Sequence, residues 1–391
     1  MVGLEHKAKI LILVDWYLPG FKGGGQIKAV EYIVENLKAE FDFHILCRDH
    51  DVDGTVYDSI VKDRWIERDG IKIKYLSKNF PGNFFKIFKE IRCGKWDTVY
   101  INSFFSSFFS IFPFFQLRFR GPYKIRTILA PRGEFSLGAL AGKKFKKNLF
   151  LLVAKVCSLH EYAVWQASTE FEKLDILRLF PHANVVIAKE LLPILDSAPV
   201  KYIHKESGKI KALFFSRISP KKGLDIALDI LAMERNASIA LDIYGPLEDA
   251  VYWNMCQRKI ELLPSNIEIK YCGELAHSQV KETIPLYHFL LFPTLGENFG
   301  YVIIETFLSS RPVLISDRTP WRELSESGVG FEVPLERLDL FHEKLRILCE
   351  LNDENFNIYV KRVKDFTDIY VAAQSKILDS NRALFSAKVA G

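Results

Sequence analysis

The sequence predicts two doubly wound α/β domains in tandem, each built on a mainly parallel sheet. Its 391 residues exceed one ordinary hydrophobic core and suit two domains. Short apolar runs, typical of buried strands, alternate with helical patterns along most of the chain. A polar stretch at 195–209 interrupts this alternation, which then restarts. We therefore predict a first domain over 1–194, a linker over 195–209, a second domain over 210–365 and a helical C-terminal segment over 366–391.

The first half opens with a buried strand in "AKILILVDW", a glycine turn and a helix in "QIKAVEYIVENLKAEF". One apolar stripe on that helix indicates the side that packs on the sheet. Thr169 and Glu172 fit a capping box that begins a later helix. The stripe consists of Ile27, Val30, Ile33, Val34 and Leu37, and the further predicted strands are "FDFHILCR", "IKIKYL", "DTVYIN", "YKIRTILAP" and "EYAVWQAST".

The second half repeats the plan with a helix in "GLDIALDILAMER" between its first two strands. In doubly wound sheets, ligands bind beyond the carboxyl ends of the strands, so the loops that follow strands are the places to search. A cleft is also expected between two such domains. The strands predicted here are "KIKALFFSR", "SIALDIYG", "NIEIKYCG", "HFLLFPT", "RPVLISD" and "GVGFEVP".

Composition narrows the function classes. The formal net charge of +5 is too small for a dedicated nucleic-acid binder, unless it is concentrated on one face. The 6 cysteines form no CxxC pair, which disfavours a zinc site or a disulfide framework and favours buried thiols in a reducing compartment. The N-terminal sequence lacks the long apolar core and cleavage site of a signal peptide, so we expect a cytoplasmic location.

A phenylalanine-rich segment at 101–120 carries no charge from Ile101 to Leu117. It is shorter than the roughly 20 apolar residues of a spanning helix and contains polar residues and a proline. We weigh three interpretations: a core helix packed on a sheet, a helix whose partly exposed aromatic face touches a membrane, and a true span. Six side chains fall near one helical face, namely Phe104, Phe105, Phe108, Phe109, Phe112 and Phe115.

Two loops that follow predicted strands offer groups for an anion. In "DWYLPGFKGGGQ", Gly23, Gly24 and Gly25 let backbone amides approach a ligand at a helix N-terminus, although a plain flexible turn fits the residues as well. In "FFSRISPKKGLD", Arg217 and Lys222 bracket a helix start and could clamp a diphosphate. The alternative for this second loop is a solvated basic turn.

A third loop, "FPTLGENFGYVIIETF" at 292–307, places Glu297 in a glycine turn and Glu305 inside the following helix. The turn lets the two carboxylates reach opposite ends of one ligand, and carboxylates accept hydrogen bonds from vicinal hydroxyls of a sugar or ribose. The alternative is that Glu305 is an ordinary position of an amphipathic helix. The amides expected to face a phosphate or sugar oxygen are those of Asn298, Phe299, Gly300 and Tyr301.

The fourth loop, "APRGEFSLGALAGKKFKK" at 130–147, carries Arg132, Gly133 and Glu134. A basic run follows around Phe145. Either it is a solvated helix face, or it contacts an acidic phospholipid or a phosphorylated acceptor. The run consists of Lys143, Lys144, Lys146 and Lys147.

In these loops and the segments around them, the sequence resembles the retaining, nucleotide-sugar-dependent glycosyltransferases of the GT-B fold, in particular their family 4. The matching pieces occur in family order: "GGGQIKAVEYIVENL", "PRGEFSLGAL", "LFFSRISPKKGLDIALDIL", "LDIYGP", "GENFGYVIIE" and "SDRTPWRELSESGVGF". The resemblance implies two Rossmann-like domains facing across a cleft. It implies that the donor is held mainly by the C-terminal domain, and that the last helix crosses back to the N-terminal, acceptor-binding domain.

The resemblance also assigns roles to single residues. Arg217 and Lys222 would hold the donor diphosphate, Glu297 the transferred sugar and Glu305 the ribose. Further donor contacts are assigned to Gly23, Gly24, Gly25, Gly245, Asn298, Phe299, Gly300 and Tyr301. Family members generally need no metal or cofactor, and the sequence shows no DxD motif at a suitable strand end.

One departure concerns the N-terminal domain, where many members carry a histidine and this chain has Arg132. Members with a "PRG" loop tend to build bacterial surface polysaccharides. Arg132 is therefore a candidate for the sugar contact, and Glu134 and the four lysines are candidates for the acceptor or a membrane.

The resemblance thus implies hexosyl transfer from a UDP- or GDP-linked sugar to a glycan or polyprenyl-diphosphate-linked acceptor, with peripheral contact to the inner membrane and no nucleic acid. The alternatives are a sugar-nucleotide epimerase, a glycan phosphorylase, for which no pyridoxal lysine context is visible, and a non-catalytic nucleotide-sugar-binding protein.

Overall fold

The computed structural model describes residues 7–58, 60–77, 82–120, 125–136, 139–140, 144–158, 161–194 and 200–386, with only the backbone described for residues 120, 144–146 and 277–278. The chain divides into two compact units. Unit 1 consists of Met1–Leu195 together with Gln374–Gly391, and unit 2 consists of Asp196–Ala373. Near the C-terminus the two units divide between Ala373 and Gln374. The predicted domain bounds stay predictions.

Unit 1 contains a sheet that has eight strands within the described residues, in the order β3-β4-β2-β1-β5-β6-β7-β8. Its neighbouring strands run parallel except for the antiparallel edge pair β3–β4. The strands are Lys9–Leu13 (β1), Asp42–Arg48 (β2), Ile66–Arg68 (β3), Ile71–Leu76 (β4), Thr98–Asn102 (β5), Arg126–Ala130 (β6), Val164–Ala167 (β7) and Asn184–Ile187 (β8).

The helices of unit 1 cover this sheet with apolar stripes. On the first helix, all five residues of the predicted stripe are buried, which confirms that face. Of the predicted capping box, half is present: the Thr169 hydroxyl accepts from the Glu172 amide, while the Glu172 carboxylate accepts from the amides of Ser168 and Gly133. The helices are Gly25–Leu37 (α1), Gly82–Cys93 (α2), Phe112–Arg120 (α3), Lys144–Val156 (α4) and Glu170–Leu179 (α5).

The phenylalanine-rich segment is not one helix. It begins as strand β5, passes through a loop and a π-helical turn at Ser107–Ile111, and continues as α3. Phe104, Phe109 and Phe114 are each 2% exposed and belong to the core, which confirms burial at these positions, whereas the single core helix that we considered is wrong. Phe112 and Phe119 are exposed. No helix of the described residues is long and apolar enough to cross a membrane.

Unit 2 contains a parallel sheet with six strands in the described residues, ordered β11-β10-β9-β12-β13-β14. Counted within the unit, this is the order 3-2-1-4-5-6 of the Rossmann fold. All six predicted strands are confirmed: Lys209–Phe215 (β9), Ser238–Tyr244 (β10), Ile267–Tyr271 (β11), Phe289–Phe292 (β12), Val313–Ser316 (β13) and Gly330–Val333 (β14).

Helices connect these strands. A further helix after the last strand, Asp353–Ala372, packs on unit 2 before the chain returns to unit 1. Its residue Thr367 donates a hydrogen bond to the Phe307 carbonyl, and Tyr370 packs on Trp321. The helices are Leu224–Ala232 (α6), Ala250–Glu261 (α7), His277–Thr283 (α8), Tyr301–Leu308 (α9), Leu324–Ser327 (α10), Leu338–Glu350 (α11) and Asp353–Ala372 (α12).

The final helix, Gln374–Ser386 (α13), belongs to unit 1. Phe385 packs on Phe43 and Tyr100, with ring centroids 5.8 and 5.6 Å away. Arg382 makes a two-pronged hydrogen-bonded contact with Glu40. These contacts explain why α13 clusters with unit 1.

The segment predicted to be a linker is in part a built piece of unit 2. Lys205 is 1% exposed, and its ammonium donates to the carbonyls of Glu206, Cys349 and Leu351 at 2.8, 2.8 and 2.9 Å. Burial lowers the pKa of Lys205. The buried Arg311 guanidinium likewise binds the Lys201 carbonyl. Residues 201–206 are therefore held by unit 2.

The cysteines only partly match the expectation of buried thiols. All six are unbridged; Cys47, Cys256 and Cys349 are buried, Cys157 and Cys272 are half-buried, and Cys93 is exposed.

Candidate functional site

The strand order of unit 2 indicates where a ligand belongs. The order reverses between the neighbouring strands β9 and β12, so the loops that leave their carboxyl ends turn to opposite faces and leave a crevice. These loops, 216–223 and 293–300, contain Arg217, Lys222 and Glu297. The topology thus brings together Lys222 and Glu297, which are 75 residues apart in the chain.

The two loops touch each other directly. The Leu295 amide donates to the Lys221 carbonyl at 2.9 Å, and the Thr294 hydroxyl lies 3.1 Å from that carbonyl. Gly223 has φ 73°, and a Cβ there would lie 2.1 Å from the Pro293 carbonyl oxygen. Only glycine fits this approach, so Gly223 fixes the distance between the loops.

Lys222 and Glu297 form the centre of the site. Lys222 ends a short 3₁₀ turn, Pro220–Lys222, and its Nζ lies 2.5 Å from Oε1 of Glu297. Both side chains are 13% exposed. Burial alone would raise the pKa of Glu297, but the charges of Lys222 and Lys221 and hydrogen bonds from Lys222 and Thr294 hold it below its usual value. Glu297 is therefore a carboxylate in a cationic pocket.

The backbone around Glu297 is fixed by the neighbouring strand β13. The Glu297 amide donates to the Arg318 carbonyl at 3.0 Å. Ser316, the last residue of β13, donates from its hydroxyl to the Thr294 carbonyl at 2.5 Å. Thr294 and Ser316 are fully buried, so the loop is held from within.

Helix α9 begins next to this pair. Its N-cap, Gly300, has φ 79°, and a Cβ there would lie 2.8 Å from Ile303 Cδ1. Trp321 donates from its indole to the Phe299 carbonyl at 2.6 Å and packs on the Phe299 ring. The first amides of a helix create a favourable place for an anion. The turn thus places the N-terminus of α9 beside Glu297, whose Cβ would lie 3.6 Å from a Cβ at Gly300.

Glu305 is the fifth residue of α9 and is half-buried between the buried residues Ile304 and Thr306. The Gly300 turn separates it from Glu297, as the sequence predicted. Its contact with a ribose stays a prediction.

Arg217 and Gly245 have other partners in the structure. Arg217, 34% exposed, pairs with Glu248, with Nη1 and Oε1 2.9 Å apart. A diphosphate held by Arg217 would have to compete with this carboxylate. At Gly245, a Cβ would lie 1.8 Å from the Ser216 carbonyl oxygen, and its amide donates to the Gly273 carbonyl. These contacts give Gly245 a structural reason to be glycine.

Arg132, the candidate for the sugar contact, is buried in unit 1, and that contact stays a prediction. Its side chain is 5% exposed, and Nη1 lies 2.5 Å from Oε1 of Glu190. The guanidinium also donates to the Tyr100 hydroxyl and the Asn102 side chain, at 2.5 and 2.8 Å. Arg132 thus joins β5, the loop after β6 and the segment after β8. The physical reason is that a buried arginine needs carboxylate and carbonyl-type acceptors, which these residues supply.

Glu134 and the lysines of the same loop were the candidates for an acceptor or membrane contact. The Glu134 carboxylate accepts from the Ser103 hydroxyl and the amides of Phe104 and Phe105, and burial raises its pKa despite these bonds. It therefore closes the loop after β5. Lys147 donates to the Ala139 carbonyl. Lys143 and the side chains of Lys144 and Lys146 lie outside the described parts of the chain.

The glycine loop at the carboxyl end of β1 is tied to an acidic turn. The Asp51 carboxylate accepts from the amides of Phe21 and Lys22, and Lys22 pairs with Asp53 at 2.8 Å. Gly24, with φ 61°, is the N-cap of α1. The donor contacts assigned to Gly23, Gly24 and Gly25 stay predictions.

Sequence reasoning missed the residues that support the site. The nearest signal for Asp51 was the spacing "DHDVDG", whose three aspartates suggest loop-capping or ion binding. Among the described residues, no group of three or more His, Cys, Asp or Glu could hold a metal ion. Ser316 and Trp321 lie in the matching piece "SDRTPWRELSESGVGF", but nothing there assigned them a role; Thr294 and Glu248 carried no signal that distinguishes them from ordinary loop residues.

Three comparisons with known proteins bear on this site. Residues 200–363 match the family model described as "Glycosyl transferases group 1", a range that contains both loops of the site. A Klebsiella pneumoniae protein, an uncharacterized 41.2 kDa protein in the cps region, is 23% identical over 317 residues, which cover 78% of this chain and 81% of that one.

Solved structures match over nearly the whole chain. Sucrose-phosphate synthase from Thermosynechococcus elongatus aligns with a TM-score of 0.69 at 15% identity, covering 98% of this chain and 100% of that one. Anabaena HepE in complex with UDP and glucose aligns with a TM-score of 0.69 at 16% identity and the same coverage. These matches show the GT-B fold, and with the group 1 match they support a glycosyltransferase.

Proposed function

We propose that the protein is a retaining, family 4 hexosyltransferase that moves a sugar from a nucleotide-diphosphate donor to a glycan or polyprenyl-diphosphate-linked acceptor during surface-polysaccharide synthesis. The observation that carries the proposal is the Lys222–Glu297 pair. It lies at the switch point of a Rossmann-type sheet, beside a helix N-terminus. This combination offers cationic groups for a diphosphate and a carboxylate for sugar hydroxyls in one place.

In the reaction, the bond between sugar C1 and the diphosphate oxygen breaks, and its electron pair leaves with the diphosphate. The acceptor oxygen attacks C1 from the same face and passes its proton to the leaving diphosphate oxygen, so the anomeric configuration is retained. Charge therefore accumulates on the leaving diphosphate. Lys222, Arg217 and the N-terminus of α9 are the groups we assign to stabilise it.

The low exposure of Lys222 matters for this role. A cation that is 13% exposed acts through little intervening water, so its interaction with a developing negative charge is stronger than that of a surface lysine. Glu297, whose pKa is held low, stays ionised and can accept from the sugar hydroxyls. Glu305, one turn into α9, is assigned to the ribose hydroxyls. The proposal uses no metal and no cofactor.

Two relatives support the finer parts of the proposal. HepE was solved with UDP and glucose, which favours a UDP-linked donor over a GDP-linked one. The Klebsiella relative is described by its place in a cps region, which favours a role in surface polysaccharide. The cytoplasmic location stays a prediction from the sequence.

The experiment is to incubate the full-length protein with a panel of labelled UDP- and GDP-sugars, with and without a lipid-linked saccharide extract. Transfer of label to the acceptor, or slow release of free sugar, supports the proposal. An isomerised donor would instead identify an epimerase, and a donor bound but unchanged would identify a binding protein. Lys222→Met should lose the activity, whereas Lys209→Met, which changes an exposed lysine of the same unit, should keep it.

The retaining outcome needs its own measurement. The anomeric configuration of the product, read from the C1–H1 coupling in NMR, should equal that of the donor. An inverted product would contradict the retaining mechanism while leaving glycosyl transfer intact.

A further inference from the structure

The carboxylate that binds Arg217 comes from a third loop of unit 2, residues 245–249, which follows strand β10. Because β10 neighbours β9 in the sheet, this loop lies beside the loop that carries Arg217. The contact joins Oε1 of Glu248 to Nη1 of Arg217 at 2.9 Å. Glu248 therefore occupies the guanidinium that we assign to the donor diphosphate.

The backbone holds the two residues next to each other. Ile218, which directly follows Arg217, donates from its amide to the Pro246 carbonyl at 2.8 Å. The Ile218 carbonyl accepts from the amides of Glu248 and Asp249 at 3.2 and 3.3 Å. These hydrogen bonds lie directly beside both members of the ion pair. The fold itself therefore presents the Glu248 carboxylate to Arg217.

Exposure to water decides which ion pair of the site a ligand can exchange. Both side chains of the Lys222–Glu297 pair are 13% exposed, so breaking that pair would leave a largely buried charge without its partner, which is strongly unfavourable. In the second pair, Arg217 is 34% and Glu248 is 39% exposed. Exposed pairs of this kind are weak, and water can hydrate Glu248 when it leaves. The pair of Arg217 is therefore the exchangeable one of the two.

From this geometry we infer that Glu248 is an internal competitor, which binds Arg217 in the donor-free protein and releases it when a diphosphate arrives. The inference rests on the proposed function, because it takes the diphosphate of a nucleotide sugar as the ligand of Arg217. A diphosphate carries more negative charge than a carboxylate, and its oxygens can accept two parallel hydrogen bonds from a guanidinium. It therefore displaces Glu248, in an exchange of partners that forms no covalent bond.

This competition lowers the affinity of the site for the donor and for the nucleoside diphosphate product alike. The attraction between Arg217 and a diphosphate is partly offset by the loss of the pair with Glu248. After sugar transfer, the return of Glu248 to Arg217 favours the departure of the product. Glu248 acts through Arg217 and contacts neither the sugar nor the reacting atoms. It therefore sets the affinity for nucleotides and is not a catalytic residue.

The test is calorimetric titration of the full-length protein with UDP and UMP, or with GDP and GMP where GDP binds the parent protein more tightly than UDP. Glu248→Gln removes the competing charge and keeps the shape of the side chain. It should tighten the binding of the diphosphate about twofold to fivefold, the range expected from the strength of exposed ion pairs, and leave the binding of the monophosphate nearly unchanged. A gain in affinity is informative, because damage to the fold would weaken binding.

The variant Arg217→Gln separates the inference from the proposed function. It should weaken the binding of the diphosphate, and adding Glu248→Gln to it should change nothing further, since the carboxylate then has no arginine to compete for. Unchanged binding in Arg217→Gln, or no binding of either diphosphate to the parent protein, would overturn the diphosphate assignment in the proposed function and the inference with it. Weaker binding in Arg217→Gln without a gain in Glu248→Gln would overturn the inference alone.

The matched control is Asp339→Asn, which removes another exposed carboxylate of unit 2, one that pairs with Arg337. It changes the net charge by the same amount and should leave the affinity for the diphosphate unchanged. An equal gain in Asp339→Asn, or a gain from Glu248→Gln that persists in Arg217→Gln, would show a general effect of charge and overturn the inference. Thermal unfolding of each variant establishes that the substitutions leave the fold intact.

Discussion

Lys222→Met removes the buried cation of the site while keeping most of the side-chain volume. We expect two effects, because the lysine has two partners: the donor diphosphate during turnover and Glu297 at all times. Loss of one well-aimed charge on a developing anion costs about 10²–10³-fold in kcat, or about 2.7–4 kcal/mol. Loss of the partner of a buried carboxylate also lowers the free energy of unfolding.

The distance between the two charges allows the loss of unfolding free energy to be estimated. At the observed 2.5 Å and an effective dielectric constant of about 20, the attraction between the two charges is about 7 kcal/mol before desolvation is subtracted. Hydrogen bonds to charged groups contribute about 1.5–3 kcal/mol net. We therefore expect Lys222→Met to lower the unfolding free energy of unit 2 by about 2–4 kcal/mol.

The double variant Lys222→Met/Glu297→Gln separates these effects. It removes both charges, so most of the stability should return while turnover stays low. Urea unfolding followed by circular dichroism measures the first quantity, and donor turnover measures the second. Calorimetric titration measures a third quantity, the affinity for a nucleotide. Lys222→Met should weaken the binding of a nucleoside diphosphate about tenfold or more, and the binding of the matching monophosphate far less.

Two results would refute this reasoning. Near-normal turnover in Lys222→Met would remove the lysine from leaving-group stabilisation. Equal losses for the diphosphate and the monophosphate would show that Lys222 does not contact the second phosphate. The exposed-lysine variant Lys209→Met should match the parent protein in all three measurements.

Three further predictions concern single positions. The pKa of Glu297 in the folded protein lies below its unfolded value of about 4.3–4.5. Its ion pair therefore contributes stability that is complete above the unfolded pKa and is lost as the pH falls through the folded pKa. In urea titrations, Glu297→Gln should flatten this loss of unfolding free energy at acidic pH, and an unchanged slope would contradict the prediction. Gly245→Ala places a Cβ 1.8 Å from the Ser216 carbonyl oxygen, so calorimetry should show a melting temperature lower by about 5 °C or more. Arg132→Met leaves Glu190 buried without its arginine and should cost about 3–5 kcal/mol in urea unfolding. A variant as stable as the parent would show that this buried ion pair does not support the fold.

The fold was predictable because most strands are short apolar runs that lie between helical patterns. The missed strands are explained by their residues. β3 is a three-residue antiparallel edge strand, "IER", with two exposed residues, and β8 is a four-residue strand, "NVVI", without a buried residue. Neither buries enough apolar surface to create a pattern. The phenylalanine-rich segment was hard to predict for the opposite reason: it is strongly apolar, but phenylalanine occurs in strands, loops and helices alike, so the pattern does not indicate which of them forms.

The residues of the candidate site could be picked out from the sequence, but their contacts with each other could not, and their roles at a donor stay predictions. Arg217, Lys222 and Glu297 follow strands, and the sequence singled them out for that reason. The sequence could not show that Lys222 faces Glu297 while Arg217 faces Glu248, because such pairing depends on strand order and side-chain direction. The same applies to Arg132, whose burial follows from Glu190, 58 residues further along the chain.

The anchoring of residues 201–206 determines where unit 2 can be cut from the chain. A fragment that starts at residue 209, where the first strand of unit 2 begins, loses Lys205. This lysine satisfies the Cys349 carbonyl near the end of α11 and the Leu351 carbonyl just after it. It also removes the Lys201 carbonyl from the buried Arg311. Secondary structure alone would suggest that start point. The resulting fragment, however, would leave the end of one helix exposed and a buried cation without one of its hydrogen-bond acceptors. Starting at residue 200 keeps both.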